Sequence, residues 1–174
     1  MYKRNPLAQP SERIGMSFHK DRAPGVVEVY LYDREDLEKS PEEAMVAGIM
    51  VAYTGDEPRW ESSGVAACQG YGPLIYDLAA SLLRQTVFPT TDQTDAAKAF
   101  WARQPQPYID PLSPEEFQAK YGLTVQDLYN QGVDLEPDEL QRMSDQLVET
   151  FFGAREAEAR GQPIRLPRDL SQIF

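Results

Sequence analysis

The sequence predicts an α+β domain with a helical extension behind it, and three observations carry that reading. Residues 25–33, GVVEVYLYD, alternate apolar and polar as a half-buried strand does. Residues 44–54, AMVAGIMVAYT, are apolar almost throughout, as expected of a strand covered on both faces. From residue 113 onward the pattern changes to capped segments with helical spacing. With 174 residues, the chain suits one domain plus an extension, and 41% hydrophobic residues provide a core.

Residues 1–24 carry Pro6, Pro10 and Pro24 among polar residues and read as an extended N-terminal arm. The first strand, 25–33, sets Val27, Val29 and Leu31 on one face and Glu28, Tyr30 and Tyr32 on the other. A charged stretch follows, with Ser40-Pro41-Glu42-Glu43 as a turn or short helix start. The second strand, 44–54, ends in the turn cluster Thr54-Gly55-Asp56-Glu57-Pro58. Residues 59–68, RWESSGVAAC, form a third strand with small residues near its end.

A helix then runs from Pro73 to about Arg84, since proline is tolerated in a first turn and Leu74, Ile75, Leu78 and Leu82 share a face. A short strand at 87–90 and a helix over 95–103 complete the core, 25–103. After the Gln104-Pro105-Gln106-Pro107 linker, residues 104–174 form the helical extension and tail. Ser113 and Glu116 bracket Pro114 as a capping box, and Thr124 caps a second helix that ends at Gly132. A third helix begins near Pro137 and runs to about Arg160, with the stripe Leu140, Met143, Leu147 and Phe151.

The net charge of −11, from 28 acidic and 17 basic residues, argues against nucleic acid as a partner, because phosphate binding needs a basic footprint. No stretch approaches the roughly 18 apolar residues of a membrane span, and the first residues lack a secretory h-region. The expectation is a soluble protein with no membrane partner. The single cysteine, Cys68, excludes an internal disulfide and a cysteine-built zinc site, and reads better as a small core residue than as a nucleophile. His19 is the one histidine, and nothing around it signals a catalytic triad or a histidine metal site.

The informative junction is strand, Gln69-Gly70-Tyr71-Gly72, helix. A glycine-bearing turn that opens a helix presents backbone N–H groups at the positive end of the dipole, a geometry that binds phosphates. Gln69-Gly70-Tyr71-Gly72-Pro73-Leu74 is similar to the Gln/Arg-x-x-Gly-x-Gly/Ala loop of the GNAT family of N-acetyltransferases, with Leu74 at the third anchor. Trp60-x-x-Ser63 followed by Gly70 to Asp77 resembles acetyltransferase-like proteins of tailed bacteriophages, as does the succession Val87-Phe88, Asp92, Phe100-Trp101. The resemblance covers about residues 25–103.

That resemblance implies a mixed, mainly antiparallel sheet flanked by helices, with a C-terminal helical extension. It implies acetyl-CoA as cofactor, held by Gln69, Gly70, Tyr71, Gly72 and Leu74, with the pyrophosphate over the N–H groups of about Tyr71 to Ile75. The pantetheine arm would lie along the strand edge near 63–68. Pro73 supplies no N–H to this cradle. Trp101 stands where the family often has a tyrosine acid, so Tyr76 or Tyr71 would have to serve. Glu61, on the strand leading to the loop, is the expected base, with Asp77 second; both also read as ordinary solvent-facing or helix-stabilising carboxylates. Two functions are expected from this. One is an acyl-CoA-dependent N-acetyltransferase-like protein, working in the host cytoplasm with a degenerate site. The other is a non-catalytic bacteriophage virion or accessory protein that uses the fold for assembly with itself or a protein partner. An inhibitor that meets a host protein with its acidic surface is a third.

Overall fold

The computed structural model describes residues 10–54, 57–68, 70–161 and 172–173. Its centre is a sheet in the order β1 (Ile14–Ala23), β2 (Val26–Asp33), β3 (Met45–Thr54), β4 (Arg59–Ala67) and β5 (Val87–Phe88). The first four strands form an antiparallel meander, and β5 joins β4 in parallel at Trp60 and Glu61 only. A short β6 (Gln172–Ile173) pairs antiparallel with β4 further along, at Ala66 and Ala67. The fold is therefore α+β, with a mainly antiparallel mixed sheet flanked by helices and a long helix near the C-terminus.

The two faces of the sheet follow from strand alternation. Val27, Val29 and Leu31 share a face with Ile49, Val51 and Val65. On that face pack α3 (Gly72–Leu83), α4 (Asp95–Ala102), α5 (Pro114–Tyr121) and α6 (Val125–Gln131). The other face carries Tyr30, Tyr32, Met45 and Ala66, covered by α7 (Pro137–Ala159) through Leu140, Met143 and Leu147. Phe151 continues that stripe over Gly64. Two one-turn helices, α1 (Arg34–Leu37) and α2 (Pro41–Ala44), fill the β2–β3 connection, and Asp33 caps the first by accepting from Glu35 N at 2.9 Å.

The arm read over 1–24 contains strand β1, which the sequence reading missed; its first nine residues lie outside the described ones. Ile14, Met16 and Phe18 alternate with Gly15, Ser17 and His19, a period-2 signal set between Pro10 and Pro24. The three apolar residues pack on the first-face core while the backbone pairs with β2. Nor do residues from 104 onward stand apart. Ile109 exchanges backbone hydrogen bonds with Val87 at 2.9 Å each way, and Phe117, Tyr121 and Leu128 belong to the same core as β2 and β3. The end of α6 meets β1 backbone to backbone: a Cβ on Gly132 would lie 2.6 Å from Met16 O, and one on Gly15 would lie 2.8 Å from Gly132 Cα. Glycine at both positions is what permits this approach.

A buried carboxylate fixes α7 on its face. Glu28 is 4% exposed and its oxygens accept from Tyr30 Oη at 2.6 Å, Ser144 Oγ at 2.9 Å and Arg22 Nη1 at 3.0 and 3.2 Å. Arg22 also donates to Gln141 of α7. One anion thus joins β1, β2 and α7. Beside it, Ser17 is hydrogen-bonded to the His19 ring, and burial pushes the His19 pKa down from 6.5, with the Arg22 charge adding to the fall and Glu28 opposing it.

Glu28→Ala strands Arg22 and two hydroxyls and is expected to cost about 3–5 kcal/mol. Ser144→Ala removes a single bond to the same carboxylate and is expected to cost about 1.5–3 kcal/mol. Urea unfolding of the two variants beside the parent chain reads the difference. His19 makes a separate prediction. Its folded pKa lies below its unfolded value, so the unfolded chain takes up the proton first and stability falls as pH drops from 6.5 toward the lower folded value. Above 6.5 the contribution is complete. Urea midpoints measured across this interval should slope in the parent and flatten in His19→Gln.

Candidate functional site

The candidate site is built where β4 runs into α3. Cys68 N donates to Val46 O at 2.8 Å, which holds the strand to β3 to its last residue. The chain then turns: Gly70 takes φ +86°, a left-handed conformation that favours glycine, and Tyr71 N closes on Cys68 O at 3.0 Å. Tyr71 is the N-cap of α3 and makes no side-chain cap bond. The first intrahelical bond runs from Ile75 N to Tyr71 O at 3.0 Å. By the geometry of helix ends, the N–H groups of Gly72 and Leu74 have no acceptor within the helix, and Pro73 has no N–H to offer. The first turn of α3 carries no acidic residue, so no carboxylate of its own offsets the positive end of the dipole.

Tyr71 is half-buried, and burial raises its pKa, helped by the charges of Cys68 and Asp33. The hydroxyl therefore stays protonated at neutral pH. Strands β2 and β4 run the same way through their shared partner β3, so Asp33 and the Tyr71 turn lie at one end of the sheet. At that end a shallow cleft is lined by Arg13, Arg34, Glu35 and Glu38. Arg13 is paired with Asp33 at 2.8 Å and Arg34 donates to Glu12 O at 2.6 Å.

The other sequence-predicted residues disperse from this turn. Gln69 lies outside the described residues. Leu74 points into the core and is fully buried. Tyr76 is 1% exposed, stacked on Phe100 with ring centroids 4.6 Å apart and edge-on to Trp101 at 5.2 Å. Its oxygen takes hydrogen bonds from Ser62 and the Trp101 indole, while burial drives its pKa far upward. Trp101 is therefore the third member of an aromatic cluster between α3 and α4. Of the two tyrosines considered as acids, Tyr71 is the one with solvent access.

Glu61 sits near the other end of β4, six residues before Ala67, which is about 20 Å along an extended strand. Its carboxylate is paired with Arg59 at 2.9 Å, and the Arg59 guanidinium lies over the Phe88 ring, 4.7 Å from its centroid. Asp77, in the second turn of α3, accepts from Lys120 Nζ at 2.7 Å and from Tyr121 Oη, clamping α3 to α5. Burial, then the Asp77 charge, pushes the Tyr121 pKa sharply up. Nothing in the local sequence pairs Asp77 with residues more than forty positions away. Pairing of β6 along β4 is likewise invisible to periodicity, since two residues carry no period.

Among the described residues, no group of three or more His, Cys, Asp or Glu side chains could hold a metal ion. Among them also, no helix is long and apolar enough to cross a membrane. No protein-family model, curated protein or solved structure matches the chain.

The burial of Tyr76 generates a test of its role. Tyr76→Phe keeps the stacked ring and deprives Ser62 and Trp101 of an acceptor, at an expected cost of about 1–3 kcal/mol in stability. Thermal unfolding reads that loss. A catalytic hydroxyl would instead show itself as a rate defect in a variant of unchanged stability.

Proposed function

We propose that this chain is an acyl-CoA-dependent N-acetyltransferase-like protein of the GNAT type, with a degenerate catalytic apparatus, working in the cytoplasm of a host cell. The observation that carries the reading is the β4–α3 junction. A left-handed Gly70 turns a central strand into a helix whose N–H groups at Gly72 and Leu74 have no acceptor within the helix and whose first turn carries no carboxylate. Those residues fit one anionic group such as the pyrophosphate of a CoA ester. The bound cofactor would supply the activated acyl thioester. Gly72 and Leu74 would hold the anion, Gly70 would let the backbone approach it, and the half-buried Tyr71 would offer a phenol O–H beside it.

The degeneracy follows from the same geometry. Tyr76 is enclosed between Phe100 and Trp101, and Glu61 is tied to Arg59 far along β4. Tyr76 lacks the access that proton transfer needs, and Glu61, though partly exposed, is ion-paired and distant from the glycine turn. One further reading has observations behind it. The pairing of β4 at Ala66 and Ala67 with β6 favours a non-catalytic alternative, a bacteriophage virion or accessory protein that keeps the sheet for assembly. The exposed Tyr129, Val133 and Phe152 suit a protein partner or a second copy on that alternative.

Acetyl-CoA titrated into the chain by calorimetry, with Gly72→Asp in parallel, separates the two. Binding in the micromolar range that disappears in the variant is the expected result, because the new carboxylate repels the pyrophosphate at the helix start. A folded parent chain that gives no heat with acetyl-CoA rejects the cofactor site and leaves the assembly role.

A further inference from the structure

Among the described residues, the edge of β4 has two occupants. β5 takes Trp60 and Glu61, and its own far side is secured by the Val87–Ile109 bridge. Past Glu61 no further β5 pairing is seen, and among the described residues the edge is taken again at Ala66 and Ala67, by Ile173 and Gln172 of β6. On their opposite side these alanines pair with Gly48 and Ala47 of β3. β6 also adjoins α4 on one face of the sheet and α7 on the other. Its pairing on β4 ends at Ala67, shortly before the Gly70 turn.

A strand edge offers one set of N–H and C=O groups, and two extended partners cannot use them together. We infer that β6 is a displaceable strand whose seat on Ala66–Ala67 excludes the amide-bearing arm of an acyl-CoA from the edge of β4. This inference rests on the cofactor reading above, in which the arm runs along that edge from the pyrophosphate at Gly70–Leu74. Release of β6 and occupation of the edge are then alternative states of one site, and the chain regulates its own access to ligand. Among the described residues the seat is two residues long. It has the strength of a few backbone hydrogen bonds in water, which makes it removable by a ligand that supplies its own. The same shortness predicts the size of the effect: freeing the edge should tighten ligand binding on the order of tenfold.

Calorimetric titration of CoA into the full chain, a chain ending at Ser171, and full-length Ile173→Pro tests this. Proline removes a strand N–H without shortening the chain, so it guards against an effect of truncation alone. Melting curves establish that each is folded. Both variants are expected to bind CoA on the order of tenfold more tightly than the parent, and a peptide of residues 168–174 added to the shortened chain should weaken binding again. Equal affinity in all three overturns the displaceable strand while leaving the cofactor site standing. No binding in any of them, including the shortened chain, overturns both.

Discussion

Burial of the Glu28 carboxylate constrains the whole second face of the sheet. A carboxylate with 4% exposure is tolerable only if its oxygens are fully partnered, and the partners come from three elements: Arg22 of β1, Tyr30 of β2 and Ser144 of α7. The apolar stripe of α7 gives that helix a reason to lie somewhere on the sheet. The hydrogen bond from Ser144 gives it one position, because sliding the helix by a turn would strip an acceptor's partner in a medium where replacement by water is costly. Arg22 reaching on to Gln141 secures the same register from the edge strand. Hydrophobic area supplies the attraction, and the polar node ties the helix to one register.

The first face is organised around aromatic packing. Tyr76, Phe100 and Trp101 form stacked and edge-on pairs that join α3 to α4, and Asp77 one residue on clamps α3 to α5 through Lys120 and Tyr121. Successive residues of one helix thus point to two different neighbours. The consequence for chemistry is that the helix is anchored from its second turn onward, while its first turn stays at the sheet end beside Tyr71. On the proposed cofactor reading such anchoring would help, since N–H groups held in place need no reorganisation when charge arrives.

β4 links the two themes. It is central along β3, yet its other edge is shared by a parallel strand at one end and an antiparallel dipeptide at the other. The antiparallel dipeptide lies at the end beside the glycine turn, and Glu61 lies at the other, most of the strand's length away. A carboxylate and a turn that look like neighbours in the sequence are held apart because a strand is the most extended form a chain can take.

How much was legible follows from which interactions are local. The alternation of 25–33, the apolar run of 44–54, the capping box at Ser113 and Glu116, and the stripe on α7 were all readable, because each depends on the period of one element or on residues three apart. The position of the glycine turn between strand and helix was readable for the same reason. Strand β1 carries the same kind of signal, Ile14, Met16 and Phe18 alternating with Gly15, Ser17 and His19, but the prolines and polar residues around it made the segment read as an arm. The candidate site was legible in its turn and illegible in its chemistry. The sequence by itself determined the element types, the apolar faces and the glycine that reverses the chain at residue 70. Only the tertiary structure decided that Tyr76 is walled in, that Glu61 is spoken for by Arg59, that Asp77 serves α5, and that β6 lies on Ala66–Ala67. Those outcomes depend on contacts between distant segments, and a linear pattern holds no record of which buried group will find which partner.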